Sequence, residues 1–374
     1  MEGKMRLVTR SDFDGLACAM MLRELGIIDE IKFVHPKDVQ DGKVELSQND
    51  ITTNLPYDPR VALAFDHHES EVDRLKAQET GGKLIIDPNA RSAARVVYDY
   101  YGGKKTFPRV SDELMEAVDK GDSADFTMDE ILHPKGWVLL HYLMDPRTGL
   151  GRFRNFRISN YDLMMELISY CMDHSIDEIL ELPDVKERVD LYFEQADLFE
   201  AQLKRIAKVY DKVVVLDLRD EEIIHAGNRF MIYALYPETQ ISVHVAWGFK
   251  KQNTAVMIGK SIVNKGSNVD IGELCLKYGG GGHRNAGTCQ LDNDKVDAEL
   301  PNIIAALNVL YTRDAPKNTF KNRPFVLTNP SFSCIVDEKG KRGVCYAANC
   351  PCAFHRRPVS CPAPRCRGPD DLCR

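Results

Sequence analysis

Residues 5–25 read MRLVTRSDFDGLACAMMLREL and contain the strand-to-helix turn from which the fold can be worked out. Met5–Thr9 is a short apolar run typical of a strand, and Leu16–Leu25 is a run of helix formers that Gly26 ends. A further helix is expected at 92–101, and further strands at 31–34, 61–65 and 84–86. Strands that alternate with helices predict an α/β fold with a doubly wound, mainly parallel sheet.

The second half of the chain begins with a long amphipathic stretch, Val185–Val209, which predicts a connecting helix. After it the sequence predicts strands at 212–218, 230–236, 241–247 and 254–258, and helices at 271–278 and 300–310. We therefore expect a first domain in residues 1–180, the connecting helix in 181–210, a smaller α/β domain in 211–314 and a tail in 315–374.

Charge divides the chain in the same place. The whole chain has a net charge of −7, but residues 315–374 contain 11 Lys and Arg against 4 Asp and Glu, so the first 314 residues carry −14. An acidic body binds duplex phosphate backbones poorly, which argues against long duplex nucleic acid as a partner. No apolar run approaches the ~18 residues that a membrane span needs, and the N-terminus lacks a signal-peptide pattern, so we expect a cytoplasmic protein without a membrane partner.

The tail also holds 7 of the 11 cysteines and 8 of the 18 prolines. Its spacing Cys350-x-Cys352-x₂-His355 does not match a standard zinc pattern. We expect a disordered appendage; a structural zinc site, a basic nucleic-acid-binding arm and a reading-frame accident are the alternatives.

Two acidic clusters follow predicted strands. Asp12 and Asp14 lie in a strand-to-helix turn, and Asp66, His67 and His68 come directly after the strand at 61–65. Carboxylate and imidazole groups at the carboxyl ends of parallel strands suit a site for Mg²⁺ or Mn²⁺. The alternative for the first cluster is ordinary helix capping by Asp.

Asp50 and Asp122 are further candidate ligands. By position alone each is more typical of a turn, and Asp119 and Asp125 compete with Asp122.

Four consecutive glycines precede His283. The run Gly279–Gly282 leaves the backbone N–H groups open to an anion, and His283, Arg284 and Asn285 add donors beside it. The run therefore predicts a phosphate-binding loop. Lys260 and Ser261, after the strand at 254–258, are expected to add a cation and a hydroxyl.

Together, Asp12-x-Asp14, Asp66-His67-His68 and Gly280-Gly281-Gly282-His283 resemble the signature of the DHH phosphoesterases that carry a DHHA1 domain, over roughly residues 5–290. Chains of this kind are often described as exopolyphosphatase-related, and the family includes nanoRNA and dinucleotide hydrolases. The resemblance implies one or two Mn²⁺ or Mg²⁺ ions that activate a water for in-line displacement.

The resemblance also assigns roles to individual residues. It implies that Asp12 binds one ion and Asp14 the other, that Asp50 bridges them, and that His67 and Asp122 complete the second site. It places Asp66 as an orienting carboxylate and His68 near the scissile phosphate. The substrate's terminal phosphate or nucleotide would be held by the following residues: Gly280, Gly281, Gly282, His283, Arg284, Asn285, Lys260 and Ser261.

One position departs from the family pattern. A His usually stands two or four residues before the first Asp, and here those positions are Arg10 and Val8. A guanidinium is always charged and cannot bind a cation, so either the first ion is held weakly or Arg10 replaces part of its charge against the phosphate.

The acidic body favours a short substrate held at one phosphate end. We expect a metal-dependent phosphodiesterase that hydrolyses short oligonucleotides or linear dinucleotides to mononucleotides. The alternatives are an exopolyphosphatase- or pyrophosphatase-type hydrolase and a nucleotide-binding module with weakened catalysis. The oligomeric state is left as either a monomer or a homodimer.

Overall fold

A five-stranded sheet in which every neighbouring pair is parallel forms the first half of the computed structural model, which describes residues 5–68 and 84–308. The strand order is β2-β1-β3-β4-β5. The strands are β1 Met5–Arg10, β2 Ile28–Val34, β3 Asp50–Thr53, β4 Leu63–Asp66 and β5 Leu84–Ile86. The predicted doubly wound parallel sheet is confirmed.

Helices cover both the connections of this sheet and the region after it. Those of the first half are α1 Phe13–Glu24, α2 Pro36–Gln40, α3 Ala93–Tyr100, α4 Asp112–Ser123, α5 Met128–Leu132, α6 Gly136–Met144, α7 Asn160–Asp173 and α8 Ile176–Leu180. Helix α9, Pro183–Ile206, is the predicted connecting helix.

Helix α1 is buried on almost every side. It packs between β1, β2 and the helices α3, α4 and α7, which explains why its sequence lacks a polar face. Its side chains form the centre of the main hydrophobic core, together with Leu7, Ile51 and Phe65 from the sheet. This packing fixes the position of the turn that carries Asp12 and Asp14.

A second, six-stranded sheet follows α9, with the order β10-β11-β9-β8-β7-β6. Only β7 and β8 pair in parallel; the other neighbours are antiparallel. The strands are β6 Ala207–Tyr210, β7 Val213–Asp217, β8 Ile241–Trp247, β9 Thr254–Lys260, β10 Gly281–His283 and β11 Ala286–Leu291. The helices are α10 Met231–Leu235, α11 Ile271–Lys277 and α12 Val296–Asn308.

Two elements of the second half differ from the sequence prediction. The stretch predicted as a strand at 230–236 is the helix α10, which begins where the Asn228 side chain accepts a hydrogen bond from the Phe230 N–H at 2.9 Å. Its apolar residues pack into the main core, and short apolar runs of this kind do not distinguish a strand from a helix. The predicted glycine loop instead contains an edge strand, β10, in a hairpin with β11.

Residues 309–374 lie outside the described residues, as do the predictions made for the tail. The domain boundaries at 180, 210 and 314 stay predictions. Among the helices that the structure describes, none is long and apolar enough to cross a membrane. The described cysteines, Cys18, Cys171, Cys275 and Cys289, are all buried free thiols.

Candidate active site

The site lies at the carboxyl ends of β1, β3 and β4. The chain leaves β1 toward β2 on one side, while β3 pairs with β1 on the other, so the strand order reverses between β1 and β3. Open α/β sheets bind ligands at such a switch point. Asp12 and Asp14 follow β1, Asn54 follows β3, and His67 and His68 follow β4.

Asp12 and Asp14 are both buried, but their oxygens have different partners. Asp12 caps α1 by accepting the Gly15 N–H at 3.0 Å, and its Oδ2 lies 3.0 Å from Arg10 Nε. Asp14 accepts the Ala94 N–H at 2.7 Å and the Asn54 side-chain amide at 2.7 Å. Capping and ligation are therefore compatible interpretations of Asp12.

The pKa values of both aspartates reflect a crowded cluster of acids. Burial, together with the nearby charges of Asp122 and Asp12, raises the pKa of Asp14 to about 8. Burial also raises the pKa of Asp12, although Arg10 opposes it. A group of carboxylates that resists ionisation in this way is stabilised by a bound cation.

His67 and Asp122 form the second part of the cluster. His67 Nδ1 lies 3.2 Å from the Ala90 carbonyl oxygen, to which it donates, and this tautomer leaves Nε2 as an electron-pair donor. Nε2 lies 2.6 Å from Asp122 Oδ2, yet it is buried and has no partner with hydrogen-bond geometry among the described residues. Burial lowers the pKa of His67, but the contact with Asp122 outweighs it and raises the pKa to about 9.

Asp66 orients His68. Asp66 Oδ1 accepts a hydrogen bond from His68 Nδ1 at 2.7 Å and another from the His67 N–H at 2.8 Å. Burial lowers the pKa of His68, but Asp66 outweighs it and raises the pKa above its ordinary value. The His68 ring stacks on His283 with 5.6 Å between ring centroids, so the sequence-predicted catalytic and substrate-binding histidines meet.

Asp50 is placed away from this cluster. It stands at the amino end of β3, where its Oδ1 accepts from Arg6 Nε at 2.7 Å and its Oδ2 from the Ser47 N–H at 2.6 Å. The expectation that Asp50 bridges two ions is therefore wrong for this structure. The residue at the carboxyl end of the same strand is Asn54, which has a left-handed backbone with φ of 53°.

Arg10 and Asp12 also line a cavity of about 870 Å³ beside the cluster. Arg147 and Arg229 contribute to its wall and share Asp145, whose Oδ1 lies 2.7 Å from Arg147 Nε and whose Oδ2 lies 3.5 Å from Arg229 Nε. Arg229 Nε is buried and has no hydrogen-bond partner among the described residues. The remaining wall includes the aromatic and imidazole side chains of Phe33, His35, Phe230, Tyr233 and His244.

The glycine hairpin reaches this cavity only in part. Gly281, Gly282 and His283 line it, whereas Gly280, Arg284, Asn285, Lys260 and Ser261 are not among the lining residues. Ser261 is buried, and its Oγ accepts the N–H groups of Val263 and Asn264 at 3.2 and 3.0 Å, so its hydroxyl stabilises a turn. The structure therefore does not bring these five residues to the cavity wall.

Several functional candidates had no signal in the sequence. Arg147 and Arg229 belong to no motif, and they meet only because Asp145 lies between them in the folded chain. Asn54 could have been found, since Ile51, Thr52 and Thr53 form a β-branched run directly before it.

The residues fit a divalent cation at one position. Asp14, Asp122 and the Nε2 atom of His67, which lies 2.6 Å from Asp122 Oδ2, offer carboxylate oxygens and one imidazole nitrogen, a donor set suited to Mn²⁺. Asp66, His67 and His68 also offer donor atoms within 4.8 Å of one another, but Asp66 and His68 are already bonded to each other. His67 belongs to both sets, and its Nε2 lies 2.6 Å from Asp122 Oδ2.

Comparison with solved structures found relatives of this chain. The pGpG-specific phosphodiesterase PggH from Vibrio cholerae is 57% identical, with a TM-score of 0.71 over 82% of this chain and 99% of that one. An exopolyphosphatase-related protein from Bacteroides fragilis is 13% identical, with a TM-score of 0.46 over 81% of this chain and 92% of that one.

Among curated proteins, the A-adding tRNA nucleotidyltransferase of Aquifex aeolicus is 33% identical over 93 residues. This match spans 24% of the present chain but only 11% of that enzyme's length. No family model matches the chain.

Proposed function

The chain belongs to the DHH/DHHA1 family of phosphoesterases, and we propose that it hydrolyses the phosphodiester bond of linear dinucleotides that carry a 5′-phosphate. The substrate named for the 57% identical relative, pGpG, is the first one to test. The observation that carries the proposal is a cavity whose wall combines Asp12 of the acidic cluster, three arginines and several aromatic side chains, with His283 of the wall stacked on His68. A volume of about 870 Å³ suits a small molecule rather than a long strand.

The chemical roles follow from the contacts of the described residues. Asp14, His67 and Asp122 would hold the divalent cation. When bound, such a cation polarises the scissile phosphate and lowers the pKa of the attacking water. His68 has Nδ1 committed to Asp66, so its Nε2 is the atom available to donate a proton to the leaving 3′-oxygen. Water adds to phosphorus, the P–O3′ bond breaks, and one pGpG gives two molecules of GMP.

The cavity wall accounts for the choice of a nucleotide over polyphosphate. A polyphosphate chain offers nothing for apolar walls to bind, whereas Phe33, Phe230 and Tyr233 provide surfaces on which a base can stack. Arg147 and Arg229 would hold the terminal 5′-phosphate, because Asp145 balances only one of their two charges.

Purified protein with Mn²⁺ tests this proposal. We expect two GMP per pGpG, with the unphosphorylated dinucleotide, cyclic di-GMP, pyrophosphate and polyphosphate hydrolysed much more slowly. His67→Ala should abolish turnover, and His133→Ala, an exposed histidine outside the cavity, should not. Phosphate release from polyphosphate without GMP release from pGpG would favour the exopolyphosphatase alternative. The homodimer and the cytoplasmic location stay predictions.

A further inference from the structure

Arg10 lies against one of the two aspartates that the family resemblance assigns to metal ions. Arg10 Nε is 3.0 Å from Asp12 Oδ2, and the other oxygen of Asp12 accepts the Gly15 N–H at 3.0 Å. Both oxygens of Asp12 are therefore engaged, one of them by a fixed positive charge. A metal ion on Asp12 would have to displace this guanidinium or share the carboxylate with it.

Because residue 54 is an asparagine, that ion also lacks a second carboxylate ligand. A bridge between two ions at this edge of the sheet needs a carboxylate at the carboxyl end of β3, and the side chain there is an amide. Its Nδ2 donates to Asp14 Oδ2 at 2.7 Å, and because a carboxylate at this point would repel Asp14, the amide suits a site with fewer cations. Asp50 offers no substitute, since Arg6 and Ser47 hold it at the opposite end of the strand.

The remaining candidate ligands are Asp14, His67 and Asp122. Asp14 is buried, His67 and Asp122 are half-buried, and Nε2 of His67 lies 2.6 Å from Asp122 Oδ2. The cluster thus has one set of donors suited to a cation and, beside it, one carboxylate that is already paired with an arginine.

The charges lead to the same number of ions. Asp12, Asp14 and Asp122 are three carboxylates in electrostatic contact, and Arg10 is close enough to act on both Asp12 and Asp122. Arg10 and one divalent cation balance these three carboxylates, while Arg147, which also acts on Asp12 and Asp122, is paired with Asp145. A second divalent cation would leave a positive excess in a buried site, which burial disfavours.

We propose that this chain binds one catalytic divalent cation, at Asp14, His67 and Asp122, and that the Arg10 guanidinium takes the place of a second. The role of Arg10 toward substrate rests on the proposed function, whereas the number of ions does not. Arg10 neutralises Asp12 and also lines the cavity. There its planar fork contacts the oxygens of the scissile phosphate and stabilises the charge that develops on them.

The first test counts the ions without measuring activity. Full-length protein freed of metal is titrated with Mn²⁺ by calorimetry, because a hard ion avoids the thiols of the chain. We expect one ion per chain for the wild type and for Asp12→Asn, and none for His67→Ala. The double variant Arg10→His with Asn54→Asp should bind two. Two ions in the wild type, or a loss of binding in Asp12→Asn, would overturn the proposal.

Electron paramagnetic resonance of the bound Mn²⁺ gives a second readout that does not depend on stable folding of the double variant. A single ion has the spectrum of an isolated centre, and two ions about 3.5–4 Å apart, as in two-metal sites, are magnetically coupled. A coupled spectrum in the wild-type protein contradicts the inference.

The second test concerns Arg10 itself. Arg10→Met should lower kcat on pGpG by about 10²–10³-fold, the range for loss of one transition-state donor, while the protein still binds one Mn²⁺. Arg10→Lys should recover part of the loss. Unchanged kcat in Arg10→Met refutes the role of the arginine. If the wild type bound one ion but failed to hydrolyse pGpG, the proposed function would fail and the ion count would stand.

Discussion

Replacement of Arg229 by Met tests whether the arginine wall selects substrates with a 5′-phosphate. Arg229 Nε is a buried donor without a hydrogen-bond partner among the described residues, and the nearest carboxylate oxygen, Asp145 Oδ2, lies 3.5 Å away. Burial and the neighbouring Arg147 lower the pKa of Arg229 to about 10, so the residue stays charged at neutral pH. A charged guanidinium that shares its nearest carboxylate with a second arginine at a cavity wall is ready to bind an anion.

The expected loss in kcat/KM follows from one lost charge-assisted hydrogen bond. Such a bond contributes about 1.5–3 kcal/mol, and each 1.4 kcal/mol is tenfold, so kcat/KM on pGpG should fall roughly 10- to 150-fold. The dinucleotide without a 5′-phosphate should lose less than about threefold, because it makes no such bond. The preference for the phosphorylated substrate should therefore shrink by the same factor.

The fold should tolerate this substitution. Asp145 keeps its two-pronged contact with Arg147, at 2.7 and 2.8 Å, and the methionine stem retains contact with Phe230, over whose ring the guanidinium carbon lies at 3.9 Å. Arg205→Met is the matched control, since Arg205 is exposed and pairs with Glu221 outside the cavity.

Steady-state GMP release, resolved by chromatography, measures both substrates. Equal losses on the two substrates would refute the assignment of Arg229 to the terminal phosphate. No loss on pGpG would remove Arg229 from the binding site altogether.

Four further substitutions probe the hairpin, the amino end of β3 and the cavity wall. Gly281→Ala places its new methyl group in open space, so it should change the free energy of unfolding by less than about 1 kcal/mol while raising KM. Gly282→Ala has a φ of 155° and a clash with the backbone of Ala286 and Gly287, so it should lower the free energy of unfolding by about 1–3 kcal/mol. Unchanged KM in Gly281→Ala would show that no phosphate approaches there. Asp50→Asn breaks the ion pair with Arg6, which is a quarter exposed, and should lower the free energy of unfolding in urea by about 1–3 kcal/mol. The number of bound Mn²⁺ ions should not change, and a lost ion would restore Asp50 as a ligand. Burial and Arg229 lower the pKa of His244 from 6.5 to about 4, so the unfolded chain binds the extra proton and the stability that neutral His244 contributes is lost as pH falls from 6.5 toward 4. Relative to His244→Gln, the wild type should lose about 2 kcal/mol between pH 7 and pH 5, and parallel stability profiles would contradict the shift.

The first half of the fold could be predicted because its signals are local. β1 and α1 are a strand and a helix whose composition alone identifies them, and the acidic clusters that follow β1 and β4 are adjacent in sequence to those strands. Parallel strands bring their carboxyl ends to one edge, so the meeting of Asp14 with His67 follows from the topology. The connecting helix also has a local signal, the helical spacing of its apolar residues; it is predicted at 185–209 and found at Pro183–Ile206.

Predictions failed where a short element decided which end of a strand a residue occupies. β3 has only four residues, and unless this strand is recognised the sequence does not show that Asp50 begins it and Asn54 follows it. A shift of four residues along a strand is about 13 Å. The prediction therefore assigned to Asp50, which has a structural role, the place that Asn54 occupies beside Asp14.

Arg10 and Asn54 point to a site with one cation only when the two residues are considered together. Arg10 alone could be a surface arginine near a weak metal site, and Asn54 alone could be a residue of a turn. In the folded chain one supplies a positive charge to Asp12 and the other supplies a hydrogen-bond donor to Asp14, so both replace what a second cation would do for these two carboxylates. A pair of substitutions that compensate each other in charge is expected if catalysis is retained with one ion, because either change alone would leave the buried acids unevenly balanced.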